Sequence, residues 1–179
     1  TDMYSANKMV AEKYVLLYVK SYSLNASVIR LPNVFGPKAA IHSPEFTFNN
    51  YFVGLALQKQ SITVYKPGTQ LRNVLYVDDA VDALIAVAEA DSVAGEAFFA
   101  VGDEHYSVKD IAQQTCKIMG GSVQLIDWPK EREAIEIGDA VISNEKIKKA
   151  LNWVPMVGLE DGLKLTYDYY KDKLDKYLK

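Results

Sequence analysis

The fold class is predicted from one segment, ASVIRLPNVFGP, which spans residues 26–37. Its continuous apolar centre is typical of a short parallel strand that is buried on both faces. We expect the strand to end at Pro32 and residues 33–37 to form a turn at its carboxyl end. Ligands of open α/β sheets bind at this end of the strands, so the segment also indicates where a site would lie.

Helical and strand-like patterns alternate on both sides of this segment. Apolar residues at helical spacing predict helices over residues 5–22, 48–58, 78–89, 107–119, 144–151 and 159–177. Apolar runs predict strands over residues 28–31, 62–65, 71–76, 98–101 and 123–126. Residues 127–141 are expected to form a loop. The alternation favours an α/β fold.

The composition excludes several classes of protein. A chain of 179 residues with 49% hydrophobic and 24% charged residues is typical of a globular protein. The net charge of −3 disfavours a nucleic-acid partner, because it provides no basic surface. Cys116 is the only cysteine, and His42 and His105 are isolated, so neither a disulfide nor a metal site is predicted. We find no long apolar run and no secretion signal, and therefore expect a cytoplasmic protein without membrane contact.

Tyr4 and Lys8 form a candidate proton-transfer pair. They lie four residues apart in a predicted helix and therefore share one face of it. A neighbouring ammonium favours the phenolate form of a tyrosine, so Tyr4 could accept and return a proton while an alcohol is oxidised. The same spacing recurs at two further pairs, Tyr167/Lys171 and Tyr169/Lys173. The spacing alone therefore does not identify a catalytic pair.

Four ordered segments carry a resemblance to a known family. They are YSANK (4–8), RLPNVFGP (30–37), GTQLRNVLYVDD (68–79), and LNWVP (151–155) followed by LEDGL (159–163). Together they resemble the extended short-chain dehydrogenases/reductases, the NAD-dependent nucleotide-sugar epimerase/dehydratase family. Asn152 stands where this family usually has Gly, and asparagine tolerates the left-handed conformation that ends a helix.

The resemblance implies a two-part architecture. Residues 1–36 and 77–102 would be the C-terminal part of a Rossmann-like, doubly wound parallel sheet that binds NAD. Residues 37–76 and 103–179 would form a small α/β substrate-binding lobe. The family's glycine-rich phosphate loop and its catalytic Ser/Thr match nothing in residues 1–179, so we expect a C-terminal half. Such a half would leave an unpaired edge on strand 28–31 and an uncovered helix face at Val10 and Leu17.

The resemblance also implies roles for three residues near the cofactor. Tyr4 would be the general acid/base for a sugar hydroxyl. Lys8 would bind the nicotinamide ribose and promote ionisation of Tyr4. Pro32 would lie near the nicotinamide, where its carbonyl is the only backbone group able to hydrogen-bond. The cofactor implied is NAD, with NADP left open because no cofactor-selecting residue is matched.

The substrate-side candidates are Asn33, Asn50, Arg72 and Arg132. Arginine's planar fork suits the diphosphate of a nucleotide-diphosphate sugar. Each candidate has a structural alternative. Arg72 could form a surface ion pair, and Arg132 could pair with its neighbours Glu131 or Glu133. Asn33 could stabilise the turn before Gly36, and Asn49 competes with Asn50 for the same match.

The function implied is that of an NAD-dependent nucleotide-sugar epimerase acting through a transient keto-sugar. The alternatives are a nucleotide-sugar 4,6-dehydratase, a non-catalytic fragment that binds a nucleotide sugar, and a relative acting on steroids or flavonoids. The two arginines disfavour the last class, whose ligands carry no diphosphate. The parent enzyme is expected to be a homodimer, and residues 1–179 alone are expected to be inactive.

Overall fold

The structure is a computed structural model and describes residues 3–178. The helices are α1 (Met3–Tyr22), α2 (Phe48–Leu57), α3 (Val77–Glu89), α4 (Val108–Met119), α5 (Lys130–Glu133), α6 (Glu145–Leu151), α7 (Leu159–Tyr170) and a final 3-10 turn (Leu174–Lys176). The strands are β1 (Val28–Arg30), β2 (Asn33–Phe35), β3 (Ser61–Tyr65), β4 (Leu71–Tyr76), β5 (Ala97–Phe99), β6 (His105–Ser107) and β7 (Ser122–Ile126).

The strands form three small sheets. β1 pairs with β5, and β3 pairs with β7, both in parallel. β4 lies between β2, which is parallel to it, and β6, which is antiparallel. Helices lie between the parallel strands in the chain, because a parallel pair needs a long crossover connection and cannot be joined by a tight turn. The predicted α/β class is confirmed.

The prediction that residues 33–37 form a turn was wrong for residues 33–35. These residues are β2, which pairs along β4 with Asn33 opposite Val74 and Phe35 opposite Tyr76. Pro32 lies between β1 and β2 and has no N–H to donate to a ladder. The chain therefore leaves one sheet at the proline and enters the next, and the turn begins only at Gly36, whose φ is +143°.

Other boundaries differ from the prediction where a segment pairs with a distant one. β5 covers residues 97–99 rather than 98–101, in register with the short β1. β6 had no predicted counterpart and forms by pairing with the start of β4. The predicted loop 127–141 contains the single-turn helix α5, and α7 ends at Tyr170 rather than near residue 177.

The core consists of two clusters of buried apolar side chains. The larger cluster joins α2, α4 and α7 to strands β3 and β4. The smaller one packs α3 and β5 against Ile147 and Trp153. These two residues belong to the segment assigned to the substrate lobe, yet they pack on the segment assigned to the cofactor-binding part. The two-part division stays a prediction.

Helix α1 lies outside both clusters, and none of its described residues is buried. Val10 is 51% exposed and Leu17 is 53% exposed, so this apolar face is uncovered among residues 3–178. An ion pair between Glu12 and Arg30 ties α1 to β1, with Arg30 Nε 2.8 Å from Glu12 Oε2. Among residues 3–178, β1 pairs on one edge only, as predicted.

Candidate active site

Tyr4 and Lys8 lie on the first turns of α1. The Lys8 ammonium lies 5.5 Å from the centre of the Tyr4 ring, so the spacing does bring the two side chains together. Tyr4 is 70% exposed, on a helix of which no described residue is buried. Lys173 Nζ lies even closer to the ring of Tyr169, at 3.9 Å. Contact between the two groups therefore does not by itself distinguish Tyr4, and its catalytic role stays a prediction.

Pro32 and Asn33 lie where the chain passes from β1 to β2, and both are half-buried. Asn33 Nδ2 donates to the backbone oxygen of Asn73 at 3.3 Å, and the Asn33 carbonyl accepts from Asn49 Nδ2 at 3.1 Å. Asn33 therefore stabilises the junction between β2, β4 and α2. The alternative for Asn33 was to stabilise the turn before Gly36, whereas its side chain joins β2 to β4. Its role as a ligand contact stays a prediction.

The first turn of α2 carries two buried asparagines. Asn50 Nδ2 donates to the Val34 carbonyl at 3.0 Å and to Thr47 Oγ1 at 2.6 Å. Asn49 Oδ1 accepts from the Asn50 backbone N–H at 3.1 Å. Both side chains thus fix the start of α2 against β2. Asn50 Oδ1 is buried and has no hydrogen-bond partner among the described residues. This unpaired oxygen favours Asn50 over Asn49 as the candidate for a ligand contact.

A cavity of about 590 Å³ lies between α2, β3 and the segment 128–137. Its walls are mostly apolar and aromatic, and the rings of Tyr65 and Trp128 stack there with centroids 4.5 Å apart. The charged side chains that line it are Arg72, Arg132 and Glu136. A concave, largely apolar site with a few convergent polar groups is the usual form of a small-molecule site.

Arg72 is held by three hydrogen bonds to protein oxygens. Nη2 lies 2.6 Å from Glu136 Oε1, and Nη1 donates to the carbonyls of Gly138 at 2.6 Å and Leu71 at 2.8 Å. The Arg72 side chain is only 15% exposed. The ion pair that was the alternative for Arg72 is therefore present, and it is part of the cavity wall.

Arg132 lines the same cavity from α5 and is exposed. Its guanidinium has no hydrogen-bond or ion-pair partner within residues 3–178, so the predicted pairing with Glu131 or Glu133 is not formed. The structure thus brings two of the substrate-side candidates together, one paired and one unpaired.

Sequence reasoning missed Glu136 and the stacked pair of Tyr65 and Trp128. Glu136 is one of three glutamates in residues 131–136, and no local pattern distinguishes the one that contacts Arg72. Trp128 Nε1 donates to the Lys66 carbonyl at 2.5 Å, which fixes the ring beside Tyr65. An isolated tryptophan in a predicted loop was the only available signal.

Few of the described residues suit a metal ion or a dinucleotide phosphate. No group of three His, Cys, Asp or Glu within residues 3–178 could hold a metal ion. β4 and β6 run directly into α3 and α4, and the first turns of these helices carry Asp78, Asp79 and Asp110. Carboxylates at a helix N-terminus repel phosphate. That Tyr4 and Lys8 hold the nicotinamide-ribose end of NAD stays a prediction, and neither of these two strand–helix turns suits its pyrophosphate.

The helices were also assessed as possible membrane spans. None of those within residues 3–178 combines the length and the apolar character that crossing a membrane requires.

Comparison with known proteins gives one family. Residues 1–102 match the NAD dependent epimerase/dehydratase family. UDP-glucuronic acid decarboxylase 5 of Arabidopsis thaliana is 27% identical over 177 residues, which are 96% of this chain and 48% of that protein. The trifunctional UDP-glucose 4,6-dehydratase/UDP-4-keto-6-deoxy-D-glucose 3,5-epimerase/UDP-4-keto-L-rhamnose-reductase of the same plant is 30% identical over 95% of this chain and 25% of its own length.

A similar solved structure is that of UDP-glucose 4-epimerase from Thermotoga maritima with UDP-glucose. It is 26% identical, with a TM-score of 0.81 over 93% of this chain and 52% of that one. The chain thus spans about half the length of the first of the curated relatives and of this structure.

Proposed function

Because the chain belongs to the NAD-dependent epimerase/dehydratase family, we propose that it is the C-terminal, substrate-binding portion of a nucleotide-sugar epimerase. The observation that carries this proposal is the cavity that Arg72 and Arg132 share. The match to an epimerase whose structure contains UDP-glucose supports it.

The cavity provides the groups that a nucleotide diphosphate needs. The unpaired guanidinium of Arg132 and the free N–H donors of Arg72 would bind diphosphate oxygens. The aromatic walls at Tyr65 and Trp128 would pack against an aromatic base. The side-chain oxygens of Asn33 and Asn50, which lie outside the lining of this cavity, would accept further hydrogen bonds near the start of α2.

The proposed chemistry needs one proton-transfer group close to the sugar. The Tyr4 hydroxyl would take the proton from a sugar hydroxyl as the carbinol becomes a ketone, and would return it when the ketone is reduced. Lys8 would stabilise the phenolate and hold a ribose hydroxyl of the cofactor, and the Pro32 carbonyl would lie beside the nicotinamide. NAD, when bound, supplies the hydride acceptor and donor. Reduction from the opposite face of the transient ketone would invert the carbon.

A 4,6-dehydratase is the second candidate, and the relative named as a UDP-glucose 4,6-dehydratase favours it. A decarboxylase is the third, from the relatives named as UDP-glucuronic acid decarboxylases. All three reactions can pass through a keto-sugar. The epimerase re-reduces the ketone, the dehydratase uses the neighbouring C–H bond that the ketone activates, and the decarboxylase releases a carboxylate one carbon further away. A nucleotide-sugar-binding chain without catalysis is the remaining alternative.

We further propose that the parent enzyme is a cytoplasmic homodimer. Met9, Val10, Tyr14 and Leu17 expose an apolar face on α1, which the N-terminal half of the parent enzyme or a second copy would cover. Residues 1–36 and 77–102 would belong to its cofactor-binding part, and residues 37–76 and 103–179 to its substrate lobe. Sedimentation of the complete protein tests the dimer, and a monomer at micromolar concentration would remove this assignment.

Product analysis of the complete protein tests the reaction itself. UDP-glucose and UDP-glucuronic acid are each incubated with protein and NAD, and the products are identified by proton NMR. Inversion at one sugar carbon supports the epimerase, loss of the 6-hydroxyl supports the dehydratase, and release of CO₂ supports the decarboxylase. An unchanged substrate in the presence of tight UDP binding supports the non-catalytic alternative.

A further inference from the structure

One carboxylate stands in the wall of the cavity that the two arginines share. Glu136 Oε1 lies 2.6 Å from Arg72 Nη2 and accepts a hydrogen bond from the Gly138 N–H at 3.0 Å. The side chains of the pair are 15% and 24% exposed, so the contact is largely shielded from water. Salt screens a partly buried pair much less than a surface pair. Glu136 is therefore a persistent ligand of Arg72 rather than a passing one.

An arginine fork binds a carboxylate and a phosphate with the same donors. We infer that Glu136 acts as an internal competitor for nucleotide diphosphates, occupying on Arg72 the place that a ligand phosphate oxygen takes. Glu136 thereby sets how strongly the cavity binds diphosphates. The inference rests on the proposed function, because it concerns the ligand of the same cavity.

The charges of the cavity support this role. Arg72 and Arg132 contribute two positive charges and Glu136 removes one, so a diphosphate meets a net charge of +1. A phosphate oxygen beside Arg72 would also lie close to the Glu136 carboxylate, and like charges at such separations repel by about 1 kcal/mol or more. The ligand must therefore displace Glu136 or tolerate that repulsion.

The loop that carries Glu136 is held in place without the carboxylate. Arg72 Nη1 donates to the Gly138 carbonyl at 2.6 Å, and Asp139 Oδ1 accepts from the Leu71 N–H at 2.8 Å. The Ala140 N–H donates to the Leu71 carbonyl at 3.0 Å. These bonds fix residues 138–140 to the start of β4. Glu136→Gln keeps the shape of the side chain and removes only its charge, so the variant should fold.

The test measures the Kd of three probes for the chain by isothermal titration: UDP, uridine and inorganic pyrophosphate. The variant is Glu136→Gln. The control is Glu133→Gln, which removes one negative charge from the same loop without contact to Arg72. We expect Glu136→Gln to lower the Kd of UDP by about tenfold and to leave the Kd of uridine unchanged. The control Glu133→Gln should change neither of these two Kd values.

The probes separate this inference from the proposed function. If pyrophosphate binds as tightly as UDP and Glu136→Gln tightens both equally, the competitor role holds and the nucleotide assignment fails. If UDP binds both wild type and variant with the same Kd, or binds the variant more weakly, the competitor role is overturned while nucleotide binding stands. Absence of binding by every probe to both proteins overturns both.

Discussion

The buried carboxylate of Asp79 accepts hydrogen bonds from the backbone N–H groups of Met156, at 2.9 Å, and Val157, at 3.0 Å. Trp153 Nε1 donates to the Asp79 carbonyl at 3.2 Å. Two of the segments on which the family resemblance rests, residues 68–79 and 151–155, thus meet at this aspartate. The two segments are therefore in contact in the fold: Asp79, in the first turn of α3, holds the residues that lead into α7.

Asp79→Asn should therefore lower the stability of the fold. The amide would place its N–H₂ group against one of the two backbone donors and leave that donor unsatisfied in a buried site. We expect a loss of about 1–3 kcal/mol in the free energy of unfolding, measured by urea denaturation. Asp78→Asn is the matched control, because Asp78 is the exposed neighbour in the same helical turn. Equal losses in the two variants would contradict the role of Asp79.

The attachment of α1 should depend on pH. The hydrogen bond from Arg30 holds the pKa of the Glu12 carboxyl below its ordinary value of 4.5. A carboxyl with a lowered pKa in the folded state stabilises that state above its ordinary pKa, and the contribution is lost as the pH falls through the lowered value. We expect α1 to loosen from β1 only below pH 4.5, with little change between pH 5 and 8.

A carbon-detected NMR titration of Glu12 measures this pKa directly. Arg30→Gln should return it to the ordinary range, while Lys13→Gln, next to Glu12 in α1, should change it far less because Lys13 acts on Glu12 through its charge alone, without a hydrogen bond. A Glu12 pKa that Arg30→Gln does not raise would show that the ion pair does not tie α1 to β1 in solution.

Local rules predicted much of this molecule. The contact between Tyr4 and Lys8 follows from helical spacing, and the predicted start of a helix at residue 107 matches the Ser107 cap of α4, which accepts from the Asp110 N–H. Asn152 adopts the left-handed conformation that ends α6, with φ of 53°, as its replacement of Gly suggested. In each case the deciding interaction lies within a few residues.

Distant partners explain the errors. Residues Asn33–Phe35 form a strand because they pair in parallel with β4, which lies far along the chain. A local sequence pattern does not predict such a pairing. The stacking of Tyr65 on Trp128 and the pairing of Arg72 with Glu136 likewise join segments remote in sequence. Arg72 was predicted as a candidate from its segment, but whether a ligand or the protein itself holds its guanidinium depended on the fold.

Arg132→Ala should weaken UDP binding by about tenfold and leave uridine binding unchanged, because its guanidinium lines the cavity and has no partner among residues 3–178. Arg132 is a cleaner probe than Arg72, whose removal also breaks hydrogen bonds to residues 136–138. Lys130→Ala, on the same short helix but outside the cavity lining, is the control. Fluorescence of Trp128 or isothermal titration gives the Kd, and equal losses for UDP and uridine would argue against a phosphate contact.

NAD should bind weakly to residues 1–179. The two helices that directly follow a strand, α3 and α4, carry carboxylates in their first turns, where a pyrophosphate needs N–H groups and no nearby negative charge. We expect isothermal titration of this chain with NAD to show no binding in the micromolar range. A micromolar Kd would reveal a pyrophosphate site elsewhere in the chain.

Tyr4→Phe should lower kcat of the complete protein by about 10²–10⁴-fold and change KM little, because the hydroxyl transfers a proton only as the reaction proceeds. Tyr167→Phe is a matched control: Lys171 lies 6.0 Å from the Tyr167 ring at the same spacing, yet that pair lies on α7. Its kcat should stay near the wild-type value. If Tyr4→Phe keeps full activity, or if both variants lose the same fraction, the proton-transfer role does not belong to Tyr4, and the exposed surface of α1 serves association alone.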